Sequence, residues 1–144
     1  MVASATMAFM DDAPFPTTFA HVALTVSDLE RSIEWYTALF GEPPFHVGEM
    51  LRGTPHHYRL AVFREPNLGL HCFGGDSTPF SERRPGLDHL AFTCADTDSL
   101  QAWAAHLDRL GVKGEILDEP YGSGLAFRDP DNIALEFFVP RRAG

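Results

Sequence analysis

Cysteine is scarce in this chain, with only Cys72 and Cys94 among 144 residues. So sparse a count excludes a disulfide framework and makes a reducing compartment, the cytoplasm, the simpler expectation. Basic residues are also few, 11 Lys and Arg against 20 Asp and Glu, for a formal charge of −9. An acidic chain repels phosphate backbones, and the pairs Arg83–Arg84 and Arg141–Arg142 are too short to offset this, so no nucleic acid partner is expected. No apolar run approaches the roughly 20 residues that span a bilayer, so no membrane partner is expected either. The N-terminus lacks the basic start of a signal peptide, and Asp11 and Asp12 interrupt its weakly apolar opening. Residues 1–18 also lack any hydrophobic period and carry Pro14 and Pro16, which predicts a mobile tail.

Beyond this segment the composition is ordinary for a globular domain, 44% hydrophobic, and the chain repeats itself. His21, Ala23, Thr25 and Asp28 recur as His89, Ala91, Thr93 and Asp96, at a spacing of 68 residues. The same spacing carries Trp35 to Trp103 and Leu39 to Leu107. Further on, the run 68–73 lies over the run 133–138 at a spacing of 65, a difference that one loop deletion explains. One domain over 19–140 is therefore expected, made of two modules, 19–75 and 86–140. They are joined by a linker rich in Gly, Ser and Pro.

Each module opens with an alternating strand. His21, Ala23 and Thr25 share one face, and Val22, Leu24 and Val26 the other. A helix follows. Ser27 and Glu30 have the spacing of a capping box, Leu29, Ile33, Tyr36 and Phe40 form an apolar stripe, and Gly41 supplies a stop. The second helix opens near Asp96 or Thr97, buries Leu100, Trp103, Leu107 and Leu110, and stops at Gly111. Three shorter strands complete each module, near 45–50, 57–63 and 68–73, and near 113–118, 123–127 and 133–138. The run 129–132 (Asp-Pro-Asp-Asn) marks a tight turn before the last. The expected fold is α+β: two βαβββ modules pairing into a curved, mostly antiparallel sheet that encloses a cavity.

The repeat brings chemistry with it. His21 and His89 occupy the same register in the two first strands, and His71 and Glu136 occupy matching places in the two last ones. Glu136 is the most informative of the four. It sits in an otherwise apolar run, where a buried carboxylate costs several kcal/mol unless it is paired or metal-bound. Three imidazoles and one carboxylate suit a divalent ion such as Fe(II), Ni, Co, Zn or Mn. His21, His89 and Glu136 are the core of this set. His71 is a fourth ligand, a nearby acid–base group or a cavity wall. His46, His56, His57 and His106 fit no repeat, and His106 is expected at the surface. Arg52, Arg59 and Arg64 are candidates for an anionic substrate, and Tyr121 lies in a Gly-flanked loop. Cys72 and Cys94 are expected as buried packing thiols, and Phe45, Phe63, Phe73, Phe127 and Phe138 as apolar cavity wall.

Three stretches resemble the vicinal-oxygen-chelate superfamily, which includes glyoxalase I, bleomycin resistance proteins and extradiol dioxygenases. They are the run 21–36, the run 86–92 (Gly-Leu-Asp-His-Leu-Ala-Phe) and the run 127–137, which looks like the closing hairpin of that family. The resemblance covers about 19–140. It implies one metal ion on His21, His71, His89 and Glu136, with His71 and Glu136 in the catalytic set. It also implies a homodimer and a small substrate that chelates the metal through vicinal oxygens. Glyoxalase I has Glu where this chain has His71, which weakens the expectation of glyoxalase activity itself. The implied activities are, in order, an isomerase or lyase, an Fe(II) extradiol-type dioxygenase, and a drug-binding resistance protein without catalysis.

Overall fold

The computed structural model describes residues 14–141. The expected tail therefore lies outside the described residues as far as residue 13, and 14–18 are exposed without regular structure. The first module comprises β1 (Val22–Thr25), α1 (Leu29–Phe40), β2 (His46–Met50), β3 (Tyr58–Phe63) and β4 (Leu68–Cys72). The second comprises β5 (Leu90–Thr93), α2 (Thr97–Arg109), β6 (Glu115–Glu119), β7 (Gly122–Arg128) and β8 (Ala134–Pro140).

Each module forms one four-stranded sheet, in the orders β1-β4-β3-β2 and β5-β8-β7-β6. The first and last strands of each run parallel, and the remaining pairs are antiparallel. The two sheets do not close into a barrel. This is the expected duplicated βαβββ architecture, built twice from one pattern.

Strand alternation decides what each sheet buries. Leu24, Val26, Leu68, Leu70, Ala61 and Phe63 face α1, whose Leu29, Tyr36 and Leu39 are fully buried. Leu125, Phe127, Leu135 and Phe137 do the same beneath Leu100 and Leu107 of α2. Each leucine so buried contributes roughly 1.5–3 kcal/mol. Leu110 departs from the expected stripe. It caps the C-terminus of α2, one residue past its last turn, and is exposed, because Gly111 turns the chain there with φ +71°. The N-terminus of α1 also differs in detail: Asp28 rather than Ser27 caps it, accepting from the Arg31 amide at 3.1 Å. Ser27 instead donates its amide to Asp131 of the second module, at 3.0 Å.

The helix-bearing sides of the two modules meet in a common core. Phe40 packs edge-on against Phe92, and the Trp35 ring lies tilted by 32° beside Phe127. Tyr36 donates a 2.7 Å hydrogen bond to Asp129 across the junction. The His106 ring nitrogen lies 3.0 Å from the Ala38 carbonyl and 3.1 Å from that of Leu39, so His106 spans the modules instead of lying free at the surface. Phe63 and Phe127, expected as cavity wall, belong to this core. The opposite faces of both sheets remain open.

Candidate metal centre

The open faces carry the four residues that the repeat singles out. In the first sheet Thr25 pairs with His71 and Ala23 with Gly69, so His21, one alternation upstream, falls on the same face as His71. Gly69 keeps the space between the strands clear. A Cβ there would sit 3.4 Å from the Ala23 Cβ and 3.5 Å from Nε2 of His71. Tyr58 stacks on the His71 ring, with centroids 4.6 Å apart and planes 22° apart. Burial, and secondarily the neighbouring His21, hold the His71 imidazole below its ordinary proton affinity. The neutral ring with a free lone pair is thereby favoured.

In the second sheet Ala91 pairs with Glu136, and His89 lies one alternation upstream on that face. Nε2 of His89 is 3.2 Å from Oε1 of Glu136, and its Nδ1 is 2.7 Å from the Asp88 carboxylate. The hydrogen bond that Nδ1 donates to the Asp88 carboxylate is the main reason the His89 pKa is raised, and Glu136 adds to it. A carboxylate on one ring nitrogen fixes the ring and leaves the other aimed at its neighbour, the arrangement that orients histidine ligands in metal sites. The Glu136 side chain is only 23% exposed and lies over β7, where Gly124 makes room for it. A Cβ at Gly124 would come 2.8 Å from Oε2 of Glu136.

The chain therefore presents two pairs of donors. His21 and His89 border one cavity of about 700 Å³, which His71 and Glu136 do not line. Among the described residues, no three His, Cys, Asp or Glu side chains cluster around a point that could hold a metal ion. Asp88 and Gly124 are the functional candidates that sequence reasoning passed over. The first was legible as the residue preceding the repeated His89. The second depends on the register of β7 against β8.

The weaker candidates fall elsewhere. His57 lies 3.3 Å from Glu49, His56 is exposed, and the His46 ring folds over Gly48. Arg52 is held by Glu49 at 2.9 Å, Arg59 pairs with Glu30 of α1, and the Arg64 guanidinium stands 4.5 Å above the Phe45 ring. Tyr121 is exposed at the β6–β7 turn, 6.0 Å from the ring of Phe138. Both cysteines are free thiols. Cys94 is buried as expected, and Cys72 is half-buried. Among the described residues no helix is long and apolar enough to cross a membrane.

Known proteins share this architecture. The family model described as Glyoxalase/Bleomycin resistance protein/Dioxygenase superfamily matches residues 18–137. A glyoxylase/bleomycin resistance protein/dioxygenase domain from Frankia sp. EAN1pec is 33% identical, with a TM-score of 0.69. The match covers 88% of this chain and 100% of that one. The protein SMU.1112c is 30% identical over 85% of this chain and 98% of its own, with a TM-score of 0.61. A mutant of the fosfomycin resistance protein FosX from Listeria monocytogenes was solved with Mn(II) and 1S,2S-dihydroxypropylphosphonic acid. It shares the fold at 17% identity and a TM-score of 0.60, over 88% of this chain and 93% of that one.

Proposed function

Because the chain belongs to the glyoxalase/bleomycin resistance protein/dioxygenase superfamily, we propose that it is a metal-dependent enzyme of the isomerase or lyase type. Its substrate is a small molecule held through two neighbouring oxygens. The observation that supports this reading is the His89–Glu136 pair, oriented by Asp88 and repeated in the first module as His21 and His71. A structural role explains it less well, since neither pair ties its sheet to another element.

Two donors are too few to hold a divalent ion, and among the described residues of one chain no third comes into range. Two chains supply four. In the proposed homodimer, His21 and His71 of one copy meet His89 and Glu136 of the second, and two-fold symmetry generates two such sites. Each open face then finds a partner. The donor set of three imidazoles and one carboxylate fits Mn, Fe(II), Co, Ni or Zn. When bound, the ion would supply Lewis acidity to two neighbouring substrate oxygens. The chain's own residues prepare the site. Asp88 fixes the His89 ring, Gly124 leaves Glu136 its place, and the suppressed basicity of His71 keeps its lone pair available.

The test is elemental analysis of untagged protein purified without oxygen, beside Glu136→Ala. Near-stoichiometric Ni, Co, Zn or Mn that is lost in the variant is the expected result. Iron, with turnover that stops without oxygen, would replace the isomerase or lyase reading with a dioxygenase. No metal even after reconstitution would leave a binding protein.

A further inference from the structure

We propose that Tyr58 is a positioning residue of this site: its ring stands behind the imidazole of His71 and holds it leaning toward His21. The inference rests on the metal-site reading above and adds the group that aims one of the four donors.

The two modules orient their histidines by different means. In the second, the Asp88 carboxylate grips His89 through Nδ1 at 2.7 Å. In the first, no carboxylate among the described residues reaches His71, and the Tyr58 ring lies flat on it instead, with centroids 4.6 Å and planes 22° apart. A stacked ring makes no hydrogen bond to the imidazole nitrogens, yet it fixes the imidazole plane. The lone pair that binds a metal lies in that plane, so holding the plane aims the donor, as a hydrogen-bonded carboxylate does elsewhere.

The register sets the direction of the brace. Leu60 pairs with His71 and Val62 with Gly69, so Tyr58, two residues before Leu60, falls on the side of His71 away from Gly69. The Gly69 side is open, and Nε2 of His71 lies there, 3.5 Å from where a Cβ of Gly69 would stand. Ala23 pairs with Gly69, and His21 comes next on the same face. Tyr58 is itself supported: Phe73 packs 5.1 Å from it, and Met50 of β2 is its cross-strand partner. Phe73 and Tyr58 thus close one side of the imidazole, and glycine opens the other toward the second donor of the pair.

The parent chain, Tyr58→Leu and Tyr58→Phe are compared first without metal and then with Co(II). In metal-free protein the NMR signals of the His71 ring, identified as those missing from His71→Ala, should carry the shielding of a stacked ring. Tyr58→Phe should keep that shielding and Tyr58→Leu should lose it. Co(II) affinity should fall about three- to ten-fold in Tyr58→Leu, the worth of one aromatic pair. The visible spectrum of its bound Co(II) at saturation should change, and Tyr58→Phe should restore both readings. A loss of general stability would not alter the spectrum of fully loaded protein. Should Tyr58→Leu fail to fold, Phe73→Leu, which removes the support behind Tyr58, carries the same test. His71 signals unmoved in Tyr58→Leu, Co(II) bound with the parent's affinity and spectrum, or losses that Tyr58→Phe shares would overturn the role of Tyr58 and leave the metal site standing. A parent chain that takes up neither Co(II) nor any other divalent metal would overturn both.

Discussion

The imidazole of His89 is gripped from both sides: Nδ1 lies 2.7 Å from Asp88 and Nε2 3.2 Å from Oε1 of Glu136. The two contacts have different consequences. The Asp88 contact fixes the ring and, being the largest cause, raises its pKa. The stabilisation linked to that raised pKa is fully present below the ordinary histidine value and is lost as pH rises through the folded one. Asp88→Asn removes the charge and keeps the shape. The His89 titration midpoint in metal-free protein, followed by NMR, should fall. Metal affinity should fall about 10- to 100-fold, the usual cost of losing an orienting carboxylate. An unchanged affinity would remove Asp88 from the site.

Gly122 and Gly124 both lie on the open face of β7, yet their substitution should damage different things. A Cβ at Gly122 would collide with the Val139 carbonyl and the Phe138 ring, so backbone must move. At Gly124 the obstacle is the end of the Glu136 side chain, 2.8 Å away, which can swing aside. Gly122→Ala should therefore lower the melting temperature by several degrees, in line with a cost of about 1–3 kcal/mol for overpacking. Gly124→Ala should melt near the parent and lose metal affinity. Equal melting losses in the two variants would deny Gly124 its special relation to Glu136.

Tyr36 is fully buried, and its hydroxyl donates to Asp129, which also accepts from the Ile133 and Asp131 amides. Burial, the largest cause, raises the Asp129 pKa, and the Tyr36 hydrogen bond works against it. An acid whose folded pKa exceeds its unfolded value makes the fold hold more protons between the two. Stability then falls as pH rises through the folded pKa. Tyr36→Phe removes a donor to the carboxylate and pushes that pKa higher still. It should cost about 1–3 kcal/mol at pH 7 and distinctly less below the ordinary carboxylate value of 3.8, measured by urea unfolding at both. A pH-independent loss would mean that packing, not the hydrogen bond, is what Tyr36 contributes.

Much of this was legible in the sequence because the chain is written twice. The repeated alternation of His21, Ala23 and Thr25 puts three residues on one face, and the open face of β1 carries Ala23 and Thr25 with His21 just before it. Where both faces of a strand are apolar, alternation loses its power. In β3, Leu60 and Val62 are as hydrophobic as Ala61 and Phe63, so the sequence cannot say which pair meets the helix, and Phe63 was expected on the wrong side. Contacts between modules were invisible for a different reason. His106 reaches the end of α1 across 67 and 68 residues, and Ser27 reaches Asp131 across 104. No local pattern encodes such partners. The division of the four donors into two pairs belongs to the same class, since it depends on how the modules dock.

That division makes a prediction that one-chain and two-chain sites answer oppositely. His71→Ala breaks the first module's donor pair and Glu136→Ala breaks the second's, so each variant alone should bind little metal. Co-expressed, they should form mixed dimers in about half of the molecules if pairing is random. In a mixed dimer with sites shared between chains, one site receives both broken modules and the other both intact ones. The mixture should therefore regain about a quarter of the parent's metal content, and mixed dimers purified by distinct tags about half. Pairing His71→Ala with His21→Ala is the control, because both lesions fall in the first module and no intact site can form. Metal recovered in the first mixture and not in the second would place each ion between two chains. No recovery in verified mixed dimers would return the site to a single chain, and would require the open faces of one chain to rearrange until His71 and Glu136 meet.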